Sequence, residues 1–267
     1  MKKLLVIALF TIIAAGRGFA SHNPESFLDI TIRDWYAFDS MYDEYPSPTT
    51  AGPMYIWGKF PSNFPELSVK VRVVDFLFVE GSFSLINILN SMMYLNSLQD
   101  KLTIDGAGWL MRANICFRVI ESDHGYLDLY TGFRYSTGKK NFYDYSSGGS
   151  IVMPGNFGYY AFQMLGAQFG MRARFYFCDI AGLDTSISGT PFFENSSEVA
   201  GWSPTPKLEH AAGYNYSFRG GIVFDIGDLS ITLGGQYEFL YYAYGELTSN
   251  DLTIRYAGPY VEVGYTF

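Results

Sequence analysis

Apolar and polar residues alternate along most of this 267-residue chain, and a period of two predicts strands with two unlike faces. From Trp109 to Val119 the odd positions are Trp109, Met111, Ala113, Ile115, Phe117 and Val119, whereas Arg112, Asn114 and Arg118 take even ones. Leu165 to Phe177 repeats the pattern: Leu165, Ala167, Phe169, Met171, Ala173, Phe175 and Phe177 stand against Gln168, Arg172 and Arg174. Leu229 to Tyr241 does so again, with Leu229, Ile231, Leu233, Tyr237 and Phe239 opposed to Ser230, Thr232, Gln236 and Glu238.

Short turns punctuate these strands, and Asp75, Asp123, Asp179 and Asp225 mark them at spacings of 48, 56 and 46. Asp bonds its own backbone and Gly accepts positive φ, so both suit tight hairpins. Four hairpins follow: 66–73 with 77–88, 107–120 with 126–136, 161–177 with 183–191, and 214–224 with 229–242. Phe27 to Phe38 adds a strand before them and Leu252 to Phe267 one after. The sum is ten, with both ends of the sheet at the short-turn side. Losing the weak strands 77–88 and 183–191 gives eight, and a further pair using Pro53 to Phe60 gives twelve. Segments 40–65, 137–160 and 194–212, rich in Tyr, Ser, Asn and Gly, read as long loops at the opposite end.

Charges are sorted by phase. Arg33, Arg72, Arg112, Arg118, Arg134, Arg172, Arg174 and Arg219 fall on the polar face, together with Lys70. So do Asp29, Glu80, Asp128, Asp184, Glu238 and Glu262. Arg255 is the exception, on the apolar phase toward the loops, and Lys59, Lys101, Lys139, Lys140 and Lys207 read as loop residues. Arg matched to carboxylates suits a confined, hydrogen-bonded interior rather than a solvated sheet surface. The apolar face carries Phe117, Phe175, Phe177, Phe224 and Phe267 near the short turns. Tyr36, Trp109, Tyr135, Tyr214, Tyr216 and Tyr241 lie toward the loops. Two aromatic girdles around an apolar band are the pattern of a sheet crossing a bilayer. Such a sheet must close on itself, because hydrocarbon leaves no partner for an unpaired edge.

Composition agrees. Only 16% of residues are charged, against roughly 25% in soluble domains, and 18% are aromatic. A net charge of −8 offers no footprint for nucleic acid. Lys2 and Lys3, the uncharged run Leu4 to Ala15, and the small-x-small triplet Gly18-Phe19-Ala20 form an export signal. Residues 1–20 are therefore expected to be removed and 21–267 to fold as one domain. Ser21 excludes lipidation at the cut. No later apolar stretch is long enough to cross a membrane as a helix.

These features, with the terminal run Tyr260-Val261-Glu262-Val263-Gly264-Tyr265-Thr266-Phe267, resemble bacterial outer-membrane β-barrels of the small OmpA/OmpX/OmpW-like type. The resemblance implies an all-β, closed, antiparallel up-and-down barrel in the outer membrane, in contact with its lipid and monomeric. It also implies that Tyr265 and Phe267, on the lipid-facing phase with Val261 and Val263, are read by the barrel-assembly machinery.

Function is less specified. Eight strands are just filled by side chains, and aqueous channels need about 16, so a charged, largely occluded lumen is expected at ten. The polar face counts nine basic against six acidic residues, so a narrow anion-favouring pore is the alternative. Ten is also the strand number of the omptin proteases, whose paired Asp and His-Asp couple are not readable here. Nor is a Ser-His pair for lipid modification. His22 follows the cleavage site, His124 lies in a short turn, and His210 neighbours Glu209 in a loop. No metal or cofactor motif is present, and a non-enzymatic role is expected: envelope structure, or recognition and adhesion of an extracellular ligand by the loops. Lys140 to Tyr145 shows the adaptable mixture of rings and polar groups that such loops use. Cys116 and Cys178 sit on non-neighbouring strands and read as two small apolar residues, with a disulfide open.

Overall fold

The computed structural model describes residues 27–46, 53–95, 97–200, 207–244 and 251–267. The removable segment expected at 1–20, with His22, lies outside them. Ten strands run in chain order: β1 (Leu28–Pro46), β2 (Pro53–Val74), β3 (Leu77–Leu95), β4 (Ser97–Ser122), β5 (Gly125–Ser147), β6 (Ser150–Cys178), β7 (Ala181–Ala200), β8 (Lys207–Ile226), β9 (Leu229–Tyr244) and β10 (Asp251–Thr266). Each pairs antiparallel with its sequence neighbour, and β1 pairs with β10, so the barrel is closed. The seam runs from Asp29 opposite Thr266 to Asp43 opposite Leu252. At its foot, Phe27 N donates to Phe267 O at 3.0 Å and Phe267 N to Leu28 O at 2.8 Å.

Four two-residue turns close the end where the described strands begin and finish: Asp75-Phe76, Asp123-His124, Asp179-Ile180 and Gly227-Asp228. The fourth corrects the sequence reading. Its Asp is Asp228, while Asp225 belongs to β8 and its side chain reaches the lumen cation Arg174. Ile226 and Gly227 separate the two, and only the pairing of Ile226 with Leu229 decides which Asp is in the turn.

The larger correction concerns the loops. Much of 40–65, 137–160 and 194–212 is strand. The β5–β6 hairpin continues to a tight turn at Gly148-Gly149, where both glycines have positive φ of 60° and 85°. Two consecutive positive φ values match the twist of a two-residue hairpin, and glycine reaches them without a Cβ clash. Lys59, Lys101, Lys139, Lys140 and Lys207 are accordingly strand residues. Composition misleads here because Tyr, Thr and Ser are compatible with either state, and a ladder partner outweighs local polarity.

Strands of 16 to 29 residues far exceed the roughly 9–11 needed to cross a bilayer. β6 alone, at 29 residues, covers roughly 95 Å along the strand at about 3.3 Å per residue. The surplus stands beyond the membrane on the side away from the short turns. Outside, a band of exposed apolar residues encircles the barrel, including Ile32, Leu67, Phe83, Ile115, Phe169, Ile187, Ile222 and Val261. On β1–β2 the band ends at Asp34, which accepts a 2.8 Å hydrogen bond from Asn63. Arg255 also points outward, its guanidinium 5.8 Å from the Phe239 ring centre.

Candidate functional site

Inward-facing positions make an ionic lower storey and a more apolar upper one. The lower storey is ionic. Glu66 Oε2 receives Arg33 Nη2 at 2.7 Å and Arg112 Nη1 at 2.9 Å. Arg33 reaches Glu262 at 3.8 Å, Arg219 meets Glu262 at 2.8 Å and Asp184 at 3.5 Å, and Arg174 meets Asp184 at 3.0 Å and Asp225 at 3.9 Å. This continuous chain of opposite charges joins β4, β2, β1, β10, β8, β7 and β6 across the lumen. Closer to the short turns a second cluster binds Asp128 to Lys70 at 2.6 Å and to Arg118 at 2.9 Å, with Glu121 linking Arg118 at 2.9 Å and Arg72 at 3.9 Å. The rings of Phe78 and Tyr126 lie beneath Lys70 and Arg118 at 4.2–5.6 Å. Arg134 and Glu238, 2.5 Å apart and both hydrogen-bonded to Asn215, form a third pair toward the upper storey.

Of the fourteen charges picked from sequence, eleven enter these pairs. Asp29 instead accepts from Thr266 Oγ1 at 3.0 Å. Glu80 accepts from Ser68 Oγ at 3.2 Å and from the Cys116 thiol at 3.6 Å. Arg172 has no carboxylate within 4.0 Å among the described residues. Sequence reasoning missed Glu66, the acceptor shared by two Arg, although it shares the even phase of Lys70 and Arg72 on one strand. It also missed Asp225, read as a turn residue, Glu121 beside a turn, and Lys140, which is buried in β5.

Two residues above the ion chain the same inward phase becomes apolar. On β1 Arg33 gives way to Trp35 and Ala37, on β2 Glu66 to Phe64, on β4 Arg112 to Leu110, and on β9 Glu238 to Leu240; all these apolar residues are buried. Trp35 stacks on Phe64 at 4.7 Å between ring centres, and Tyr256 meets Phe64 edge-on at 5.3 Å. Ile86, Met164 and Ile254 join them around a cavity of only about 30 Å³. The charged, largely occluded lumen expected from sequence thus carries an apolar cluster in its upper half, beside the buried Arg134, Ser136, Lys140 and Glu238 that line the same cavity. Its signal was present as apolar residues on both phases of β1 and β4 near Trp35 and Leu110. Two polar cavities of about 60 and 90 Å³ lie below.

Candidate chemistry elsewhere is sparse. Among the described residues no three His, Cys, Asp or Glu are grouped to hold a metal ion. His124 is in a short turn and His210 is a β8 residue opposite Ser196. Cys116 is buried in the lumen, Cys178 is exposed at the end of β6, and both are free thiols. Tyr265 and Phe267 point outward with ring centres 4.7 Å apart.

The closed ten-stranded barrel is similar in fold to the outer membrane protease OmpT from Escherichia coli. The two superpose with a TM-score of 0.70 over 95% of this chain and 99% of that one, at 10% sequence identity. The chain is an outer-membrane β-barrel. At 10% identity the likeness is one of fold. The barrel is also similar, with TM-scores of 0.35, to the attachment invasion locus protein Ail of Yersinia pestis, at 13% identity over 90% of this chain and 98% of that one, and to the Pseudomonas putida toluene transporter TodX, at 8% identity over 92% and 90%. No protein-family model and no curated protein matches the sequence.

Proposed function

We propose that this barrel is a non-conducting, non-enzymatic outer-membrane scaffold that holds extracellular hairpins for surface recognition. The observation that carries the reading is the hydrophobic core inside the upper lumen. A water-filled pore needs polar walls, and here Trp35, Phe64, Leu110 and Leu240 fill the space above an ion-paired layer. A filled, interdigitated interior gives rigidity rather than passage. Rigid scaffolds place function on their connections, and the β5–β6 hairpin is suited to that. Beside its Gly148-Gly149 turn, Ile151 and Val152 are 64% and 54% exposed, followed by exposed Met153. Three consecutive apolar residues open to water, outside the lipid band, favour a partner surface over envelope structure alone.

Cells carrying the barrel should bind a subset of purified extracellular-matrix proteins or glycans, and an Ile151→Ser, Val152→Ser, Met153→Ser variant should lose most of that binding at equal surface level. Binding no greater than that of cells lacking the barrel would reduce the role to envelope structure. Steady single-channel openings in a planar bilayer would favour the narrow anion pore instead.

A further inference from the structure

We propose that the lower lumen holds one small inorganic anion of halide size at Arg172, in the cavity of about 60 Å³ at mid-barrel. Arg172 on β6 lies opposite Asp128 on β5 and Ser186 on β7. Its natural partner Asp128 is already held by Lys70 at 2.6 Å and Arg118 at 2.9 Å. The carboxylates that act on Arg172 at longer range, Glu80, Asp184 and Glu262, all lie beyond 4.0 Å, and two of them are committed elsewhere: Asp184 to Arg174 and Arg219, Glu262 to Arg219 and Arg33. Every other lumen Arg predicted from sequence has a carboxylate within 4.0 Å.

The cavity wall shows a smaller excess of the same sign, because Arg219 on it is held by Glu262 and Asp184 outside it. Five cations line it: Arg33, Lys70, Arg112, Arg172 and Arg219. Three carboxylates do: Glu66, Glu80 and Asp128. Water satisfies the N–H donors of a guanidinium but leaves its charge, and an uncompensated charge away from bulk solvent is costly. A small anion supplies both. Hydroxyl groups are at hand to donate to it, since Ser186 lines the same wall with Ser188 and Ser217, whose Oγ atoms are 2.7 Å apart. Access is from the short-turn end. The cavity of about 90 Å³ below is lined by Gly227 and Asp228 of the last turn and shares Lys70, Glu80 and Arg172 with the one above. In the other direction Trp35, Phe64, Leu110 and Leu240 narrow the lumen to a cavity of about 30 Å³, which shares Arg33, Glu66, Arg112 and Gln236 with the site.

The test uses the full barrel folded in detergent, at constant ionic strength, with bromide replacing gluconate, which is too large for the chamber. The unfolding midpoint should rise with bromide and saturate. Crystals grown in bromide should show an anomalous peak within hydrogen-bond distance of the Arg172 guanidinium. Arg172→Gln should abolish the saturable rise while still giving a folded, heat-modifiable band. Glu80→Gln, which removes a wall carboxylate that forms no ion pair within 4.0 Å among the described residues, should shift the rise to lower bromide concentration. Bromide effects that are equal in wild type and Arg172→Gln, or an anomalous map without a peak at Arg172, would overturn the proposal. So would a Glu80→Gln midpoint that responds no more readily than wild type.

Discussion

Arg33 and Glu66 are direct cross-strand partners on β1 and β2, and their charges meet at 2.7 Å inside the barrel. Because Glu66 also receives Arg112 at 2.9 Å, one carboxylate fixes two guanidinium groups from strands on either side of β3. Removing it leaves Arg112 with no carboxylate within 4.0 Å among the described residues and Arg33 with only Glu262 at 3.8 Å. Glu66→Gln should therefore cost about 3–5 kcal/mol, the usual penalty for breaking a buried pair, seen as a lower urea midpoint for folding into detergent or vesicles. A triple change of Arg33→Met, Glu66→Leu and Arg112→Met removes the charges together and should cost much less. If the single and triple variants unfold alike, the pairing is not what holds this layer.

The apolar storey should respond as a soluble protein core does. Phe64→Ala deletes a ring packed between Trp35 and Tyr256 and should cost about 3–5 kcal/mol. An outward-facing change on the same strand, Leu67→Ala, replaces a lipid contact and should cost clearly less. Equal losses, measured by urea titration of tryptophan fluorescence, would show that the upper lumen is not tightly packed.

Gly258 tests the seam. The β1–β10 ladder runs regularly to Trp35 opposite Tyr260 and resumes at Phe38 opposite Ala257, and in the gap a Cβ on Gly258 would lie 1.9 Å from the Tyr36 carbonyl oxygen. Backbone cannot yield as a side chain end can, so Gly258→Ala should reduce the folded, heat-modifiable band several-fold. Gly81→Ala, where nothing lies within 4 Å, should fold normally. Similar yields of the two variants would mean that the seam relaxes easily.

The last residue separates assembly from stability. Phe267 is exposed to lipid, touches only Tyr265 among ring contacts on the described residues, and closes the ladder through its backbone. Phe267→Ala keeps those backbone bonds. Refolding in detergent should be nearly unchanged, whereas the amount reaching the outer membrane in cells should fall several-fold if the ring is the signal read during assembly. Normal membrane levels would remove Phe267 from that role.

The barrel, its strand number and the sorting of Arg to one face were legible because alternation is local: each strand states its two faces without reference to any other. Export-like residues at the start and the terminal Tyr265 and Phe267 pointed to the membrane in the same direct way. The heights of the hairpins were not legible, since a Tyr- and Ser-rich segment becomes strand only when a partner supplies its ladder bonds. Nor was Glu66 recognisable as the shared acceptor, although its phase was. Pairing among ten inward-facing strands depends on register and on reach across the lumen, so Asp128 goes to Lys70 and Arg118 rather than to its cross-strand neighbour Arg172. Sequence alone determined which phase of most strands is polar; closure of the sheet decided which of their charges meet, because inward-facing charges find their partners across a space that no single strand encodes.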